Sequence, residues 1–326
     1  MSCKLLVCDV CAFDWTSCDR PCSRSFEIPS GTRLHDVDPS GRYALVSQRF
    51  LRRDTDDLRS IDMHDGRVLA PDVEVPHVFM AGLPPRLSST GEMFLFEPPG
   101  LLRRTSRSIA KRTLDLEMPT PAHDPRFSDE GDRFSYITAR HEVAVLHASK
   151  PTTHRPLGTK RITRACIDGR HDLLASAARG AIAVHRMVGG VIEERCVIAT
   201  TGEIDSLALR FPWLAAIVRG GAEDGLLLWN IGSAPSLRMH FAQNVHEVAL
   251  SRDGRYLAAS LHKSVLVRDL EAGSMRTLDG HDGNVSFLRF VGGKDELVSA
   301  DTKGRIVIWA RAEDGYVRDV MDLPVR

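Results

Sequence analysis

The 326-residue chain has no net charge, no long apolar run and none of the common catalytic motifs. Lys and Arg together number 43, and so do Asp and Glu. A general nucleic-acid binder is usually basic, because phosphate contacts require Lys and Arg. No apolar stretch reaches the length of a membrane-spanning helix. The composition therefore argues against general nucleic-acid binding and against a transmembrane helix.

Catalytic signatures are also missing. The sequence contains no Gly-x-Ser-x-Gly elbow, no His-Glu-x-x-His zinc helix and no Gly-rich phosphate loop. His-Asp pairs of the kind used by some metal-dependent phosphohydrolases occur five times, but we expect them in turns or just before strands rather than on packed helices. We therefore predict a protein that is not an enzyme and has no small-molecule substrate. The five pairs are His35-Asp36, His64-Asp65, His123-Asp124, His171-Asp172 and His281-Asp282.

Cysteine is scarce outside the N-terminal region, where five of the seven cysteines fall within the first 22 residues. This uneven usage indicates a reducing compartment rather than a disulfide framework. The N-terminus carries Asp9 inside its short apolar stretch and lacks a small-residue cleavage site, which makes it a poor signal peptide. A cytoplasmic location is the resulting prediction.

The N-terminal cysteines allow two interpretations. Cys8-x2-Cys11 and Cys18-x3-Cys22 have the short paired spacing that tetrahedral zinc can use, and zinc would staple the loop between them. However, the pairs are closer together than in usual zinc ribbons. Cys8 and Cys11 also lie on or beside a predicted strand, where their side chains would diverge. The alternatives are a zinc site or redox sensor, and free, partly buried thiols with no cofactor.

The chain does contain a repeated turn, polar and mostly Gly-bearing, that leads into a short apolar strand, as a hairpin requires. Seven such turns precede anchor residues separated by 50, 40, 40, 40, 43 and 40 positions. This period is typical of a four-stranded structural repeat. The anchors are Ala44, Phe94, Phe134, Leu174, Leu214, Leu257 and Leu297.

Further apolar runs are predicted as third strands, and the long first interval is interpreted as a charged, projecting loop over Gln48–Asp57. Near-continuous apolar runs suit strands that are buried on both faces. The predicted third strands are Val143–Leu146, Ala181–Val184, Leu226–Trp229, Val265–Val267 and Ile306–Trp309.

The last repeat opens with Gly280-His281, carries Ser299 on its second strand and ends its third strand with Trp309. In these features it resembles a WD repeat. The resemblance implies an all-β, seven-bladed WD-repeat-like β-propeller with four-stranded antiparallel blades over residues 29–326. Residues 1–28 would supply Cys-rich strands that close or flank the ring, and Tyr316–Val320 could fill the same place.

The sequence also departs from the WD-repeat pattern. His185 and Arg268 stand where the family prefers Trp, and Lys303 stands where its turn carries Asp. We therefore expect the buried His–Asp–Ser–Trp network of the family to be complete in no blade. Apolar packing can offset the loss of such networks.

The resemblance implies a non-catalytic scaffold that binds other proteins or peptides within a larger assembly, although fold alone does not establish function. Alternatives are an enzyme with an active site in the central channel and a zinc- or redox-sensing regulatory subunit. One local basic run could bind an acidic or phosphate-bearing partner, whereas the simpler interpretation is a protected edge strand. Its cationic residues are Arg103, Arg104, Arg107, Lys111 and Arg112.

Overall fold

The computed structural model describes residues 4–6, 24–27, 32–49, 55–63, 68–76, 86–87, 93–97, 101–105, 114–117, 123–128, 133–138, 140–147, 161–189, 191–241, 244–292, 296–312 and 315–317. Within these ranges every regular element is a β-strand. The same ranges include no helix of the length and apolarity needed to cross a membrane. The all-β prediction is confirmed for this part of the chain.

The N-terminal part of the chain begins with β1 (Lys4–Leu6) and β2 (Arg24–Glu27). The first sheet follows, with β3 (Thr32–Val37), β4 (Tyr43–Arg49), β5 (Thr55–Asp62) and β6 (Val68–Pro76). The second sheet contains β7 (Arg86–Leu87), β8 (Met93–Glu97), β9 (Leu101–Thr105) and β10 (Leu114–Glu117). The third contains β11 (His123–Phe127), β12 (Arg133–Ile137) and β13 (Val143–His147).

The C-terminal part continues the series. The fourth sheet contains β14 (Ile162–Asp168), β15 (Leu173–Ala178), β16 (Ala181–Val188) and β17 (Val191–Ala199). The fifth contains β18 (Glu203–Arg210), β19 (Trp213–Arg219), β20 (Gly225–Asn230) and β21 (Ser236–Phe241). The sixth contains β22 (Val245–Leu250), β23 (Tyr256–Leu261), β24 (Ser264–Asp269) and β25 (Met275–Asp279). The seventh contains β26 (Val285–Val291), β27 (Glu296–Asp301), β28 (Arg305–Ala312) and β29 (Gly315–Val317).

The first strands of neighbouring sheets contact one another in a closed order. Contacts run from β3 to β7, β11, β14, β18, β22 and β26, and β26 contacts β3 again. Strands pair antiparallel within every sheet. Such a cyclic arrangement of small antiparallel sheets is consistent with a β-propeller-like fold.

The predicted repeat unit agrees closely with the observed strands. Each of the seven anchors is the second residue of the second strand of its sheet, in β4, β8, β12, β15, β19, β23 and β27. The five predicted third strands lie within β13, β16, β20, β24 and β28. In six sheets the first strand carries a register irregularity against the second. The same local structure therefore recurs along the chain.

Burial decreases from the inner to the outer strands. In the fourth sheet every residue of β15 is buried, whereas most of β17 is exposed or half-buried. Apolar clusters lie between neighbouring sheets: Leu173 and Ile182 pack with Leu214 and Leu227, and a separate cluster joins the first and seventh sheets. The sheets that contribute to these clusters thus bury their faces against one another, as expected for stacked repeats.

The interpretation of Gln48–Asp57 as a loop was wrong for the two ends of that segment, and residues 50–54 lie outside the described residues. Gln48 and Arg49 continue β4 and pair with Asp57 and Asp56 of β5. Asp56 and Asp57 pair on their other side with β6. The described ends of this charged segment are therefore strand.

The N-terminal strands extend the last sheet. Ser25 and Phe26 of β2 pair with Val307 and Ile306 of β28, and β1 pairs with the other edge of β2. β29 pairs with the later residues of β28, from Ala310 to Ala312. Both candidates for the outer strand therefore contact β28, and the ends of the chain meet in one sheet.

Candidate functional site

The binding residues predicted from sequence lie mostly outside the described residues. Cys8, Cys11, Cys18 and Cys22 all do, and so do Arg107, Lys111 and Arg112. Arg103 and Arg104 lie on β9, opposite Asp115 and Leu114 of β10. β9 also pairs with β8, so its interpretation as an edge strand was wrong. The zinc and partner-binding predictions stay predictions.

The buried hydrogen-bond network of the seventh sheet is complete, contrary to the sequence-based expectation. His281 Nε2 lies 2.6 Å from Ser299 Oγ, and Trp309 Nε1 donates to the same Oγ at 2.7 Å. His281 Nδ1 lies 3.3 Å from Asp301 Oδ2. The WD-repeat pattern predicts the aspartate at the position of Lys303, whereas Asp301, at the end of β27, supplies it. All four residues of this network are buried.

Partial versions of this network occur in two other sheets. His35 Nε2 lies 2.7 Å from Ser47 Oγ in the first sheet. In the fourth sheet, Ser176 Oγ lies 3.1 Å from His185 Nε2, where His185 takes the position of the tryptophan. Burial lowers the pKa of His185, which favours the neutral imidazole. The histidines thus serve local packing and hydrogen bonding.

Protonation of His35 is expected to destabilise the fold. Burial, followed by repulsion from Arg33 and Arg86, lowers the pKa of His35 from 6.5 to about 3. As the pH is lowered, the unfolded chain therefore takes up a proton before the folded protein does. The free energy of unfolding should fall by up to about 1.4 kcal/mol for each pH unit between 6.5 and about 3. Urea unfolding of the wild type and of His35→Gln at several pH values tests this. Equal slopes for the two proteins would contradict it.

The His-Asp pairs do not form a metal site in the described part of the chain. His281 belongs to the seventh-sheet network, His171 contacts Asp168 rather than acting with Asp172, and His35 contacts Ser47. Among the residues that the structure describes, no group of three His, Cys, Asp or Glu residues could hold a metal ion. His64-Asp65 lies outside these residues. The geometry assigns the described pairs individual structural contacts.

A cavity of about 130 Å³, here called the central cavity, is lined by the first strands of all seven sheets. Six of its lining residues occupy equivalent positions on their first strands. Each is the strand partner of the residue that directly follows an anchor on the second strand. The second sheet contributes Arg86, which pairs with the anchor Phe94. The six are Asp36, Arg126, Cys166, Ala208, Ala249 and Arg289.

The central cavity has a charged half and a small apolar half. Four consecutive sheets, from the seventh through the first to the third, contribute Arg289, Asp36, Arg86 and Arg126. The fourth, fifth and sixth sheets contribute only Cys166, Ala208 and Ala249 at the equivalent position. Charge and free volume therefore lie on opposite sides of the cavity.

Asp36 joins two of the arginines. Its Oδ1 accepts from Arg289 Nη1 at 2.7 Å, and Arg86 Nη1 lies 3.9 Å from the same atom. Asp36 Oδ2 accepts from the backbone N–H of Leu87 at 2.8 Å. Both carboxylate oxygens thus have close donors, which fixes the carboxylate against the strands of three sheets.

The third arginine has a separate partner. Arg126 Nε donates to Asp124 Oδ1 at 3.1 Å, and Asp124 Oδ2 accepts from the backbone N–H of Ala165 at 3.0 Å. Attraction by Asp124 is the main reason that the pKa of Arg126 is raised. Arg126 therefore stays charged at any pH at which the protein is folded.

The arginines also act on one another and on a carboxyl group of β22. Burial, with repulsion from Arg126 and Arg289, lowers the pKa of Arg86 to about 10, although Asp36 opposes this. Burial raises the pKa of Glu247, and Arg126 and Arg86 act in the opposite direction.

This cluster was not predicted from the sequence. Arg86, Arg126 and Arg289 are isolated in the sequence and belong to no motif. Their similar positions become clear only when each first strand is compared by its pairing with the second strand of the same sheet.

The comparisons with known proteins give no family. No protein-family model matches the chain. No curated protein matches it either.

Proposed function

We propose that the chain forms a seven-bladed, WD-repeat-like β-propeller that acts as a non-catalytic platform for other proteins or peptides. The observation that carries this proposal is the buried network of His281, Ser299, Asp301 and Trp309. It contains the four residue types that the WD-repeat resemblance names. The closed order of the seven sheets is a second support.

A platform function suits a fold with a packed interior and solvent-facing outer strands. Inner strands pack on both faces and give a rigid disc, whereas outer strands and connecting segments face solvent. Composition adds the proposal that the protein works in a reducing, cytoplasmic environment. Binding through exposed segments would then leave the apolar interior undisturbed.

Two charged regions are the proposed contact surfaces. The first is the extended end of the first sheet, where Arg49 pairs with Asp56 and Gln48 with Asp57. The second is the basic run that begins with Arg103 and Arg104 on β9. Bidentate arginine contacts would favour partners that carry carboxylate or phosphate groups.

The test is purification of the tagged protein from its native extract under reducing conditions, with mass spectrometry of the proteins that accompany it. We expect a partner that stays in stoichiometric amount through size exclusion. A variant with Arg103, Arg104, Arg107, Lys111 and Arg112 all changed to glutamine should fold normally and lose that partner. A variant with Arg238→Gln and Arg252→Gln, at exposed positions elsewhere, serves as the control.

Two outcomes would contradict the proposal. A wild-type protein that elutes as a monomer with no partner would argue against a platform. Turnover of a substrate by the purified protein, lost when a central-cavity residue is replaced, would favour an enzyme instead.

A further inference from the structure

Arg126 and Arg289 of the central cavity keep N–H groups that make no hydrogen bond to the described residues. Arg126 uses Nε for Asp124, and its side chain is 35% exposed at the wall of the cavity. Arg289 uses only Nη1, which donates to Asp36 Oδ1 and to Val37 O, both at 2.7 Å. Guanidinium donors therefore remain at the wall of the cavity.

The carboxylates nearby do not satisfy these donors. Asp36 already accepts from Arg289 and from the Leu87 N–H. Asp124 likewise accepts from Arg126 Nε and from the Ala165 N–H. Glu247 is the third acid of this cluster and lies close to Arg126 and Arg86. Both Nη groups of Arg126, and Nε and Nη2 of Arg289, still have no acceptor among the described residues and can donate to a further one.

The opposite half supplies the space. Ala208, Ala249 and Cys166 occupy the positions equivalent to Arg126 and Arg289, and their short side chains leave the cavity open. A volume of about 130 Å³ is roughly ten times the ~10–15 Å³ that one water molecule needs on the same measure. One phosphate group or a short carboxylate fits this volume.

We propose that the central cavity binds a small oxyanion, a phosphate or carboxylate group, held by the guanidinium groups of Arg126 and Arg289 with Arg86 beside them. A guanidinium fork donates two parallel hydrogen bonds to such a group, and these charge-assisted bonds are the strong ones. The anion would bridge strands of the third and seventh sheets, which do not neighbour each other in the ring. This ligand function is separate from the platform proposed above.

Isothermal titration of the purified full-length protein tests the proposal, with inorganic phosphate in one series and malonate in another, both in a chloride buffer of low ionic strength. We expect one saturable site with a Kd of about 1 mM or below. Arg126→Gln should weaken binding at least tenfold, about one strong charge-assisted contact. Arg238→Gln, an exposed arginine on β21, carries the same charge change and should leave binding unchanged.

Two further variants separate binding from folding. Arg289→Lys keeps the charge but loses the planar fork, so it should fold and bind several-fold more weakly. Ala249→Leu keeps all three arginines but fills the space opposite them, so it should also weaken binding. Circular dichroism and size exclusion establish that each variant is folded. If Arg126→Gln fails to fold, these two variants decide.

The outcomes distinguish the sources of the anion and can overturn the proposal. Saturable binding of phosphate but not malonate assigns a phosphate site, and the reverse assigns a carboxylate site. Binding of neither anion, or binding that the folded cavity variants leave unchanged, overturns the proposal. Binding of an acidic peptide alone overturns it in favour of a partner surface. Each of these results is independent of whether a protein partner is found in the extract.

Discussion

Replacing Arg210 by alanine is expected to lower the free energy of unfolding by about 3–5 kcal/mol. Arg210 on β18 is 1% exposed, and its Nη1 lies 2.9 Å from Oδ1 of the fully buried Asp168 on β14. The ion pair therefore joins the fourth and fifth sheets where neither charge reaches water. Removal of the guanidinium leaves the Asp168 carboxylate buried, with His171 and the Phe211 N–H as its remaining donors among the described residues.

Urea unfolding followed by circular dichroism measures this loss, and Arg186→Ala, at an exposed position of β16, is the control with an expected change below about 0.5 kcal/mol. The double variant Arg210→Ala with Asp168→Asn identifies the cause. If an unpaired buried charge causes the loss, Asp168→Asn should restore part of the stability, because the asparagine is neutral and still accepts from the Phe211 N–H. Simple addition of the two losses would instead indicate that lost packing dominates.

The repeat could be predicted because each turn combines polar residues, mostly with glycine, before an apolar strand, and this signal is local. Gly41 shows the physical basis: its φ is 76°, in the left-handed region that favours glycine. A Cβ at Gly41 would also lie 2.7 Å from Val291 Cγ2, at the junction of the first and seventh sheets. The turn residue thus serves both the hairpin and the packing of neighbouring sheets.

Long-range features could not be predicted in the same way. Asp301 lies two residues before the position at which the family pattern was sought, so its part in the network depends on how β27 ends. The pairing of Arg49 with Asp56 could not be predicted either, because a charged segment between strands has the composition of a loop. The charged half of the central cavity combines side chains from four sheets, and its assembly requires the closed order of the strands.

The second large effect concerns Asp301, whose replacement by alanine should also lower the free energy of unfolding by about 3–5 kcal/mol. Besides His281, its carboxylate accepts from the backbone N–H groups of Asp282, Gly283, Lys303 and Arg305, at 2.8 to 3.1 Å. Without it, these donors lose their acceptor at the edge of a packed sheet. Ser299→Ala, which removes only the hydroxyl between His281 and Trp309, should cost about 1–3 kcal/mol.

The pH dependence of stability gives an independent test of Asp301. Burial alone would raise its pKa, but hydrogen bonds from His281 and from the Arg305 and Gly283 N–H groups hold the pKa well below its ordinary value of 3.8. Its stabilising contribution should therefore be complete above that value and should be lost as the pH falls further, because the unfolded chain takes up the proton first. Asp301→Asn should lower the free energy of unfolding at neutral pH and make it depend less on pH in this acid range.

The double variant of Asp301→Ala with Ser299→Ala tests whether the four residues form a network. If the two losses of stability add, the four residues act separately. A network predicts that the double variant loses less than the sum, because either change already breaks the shared chain of hydrogen bonds.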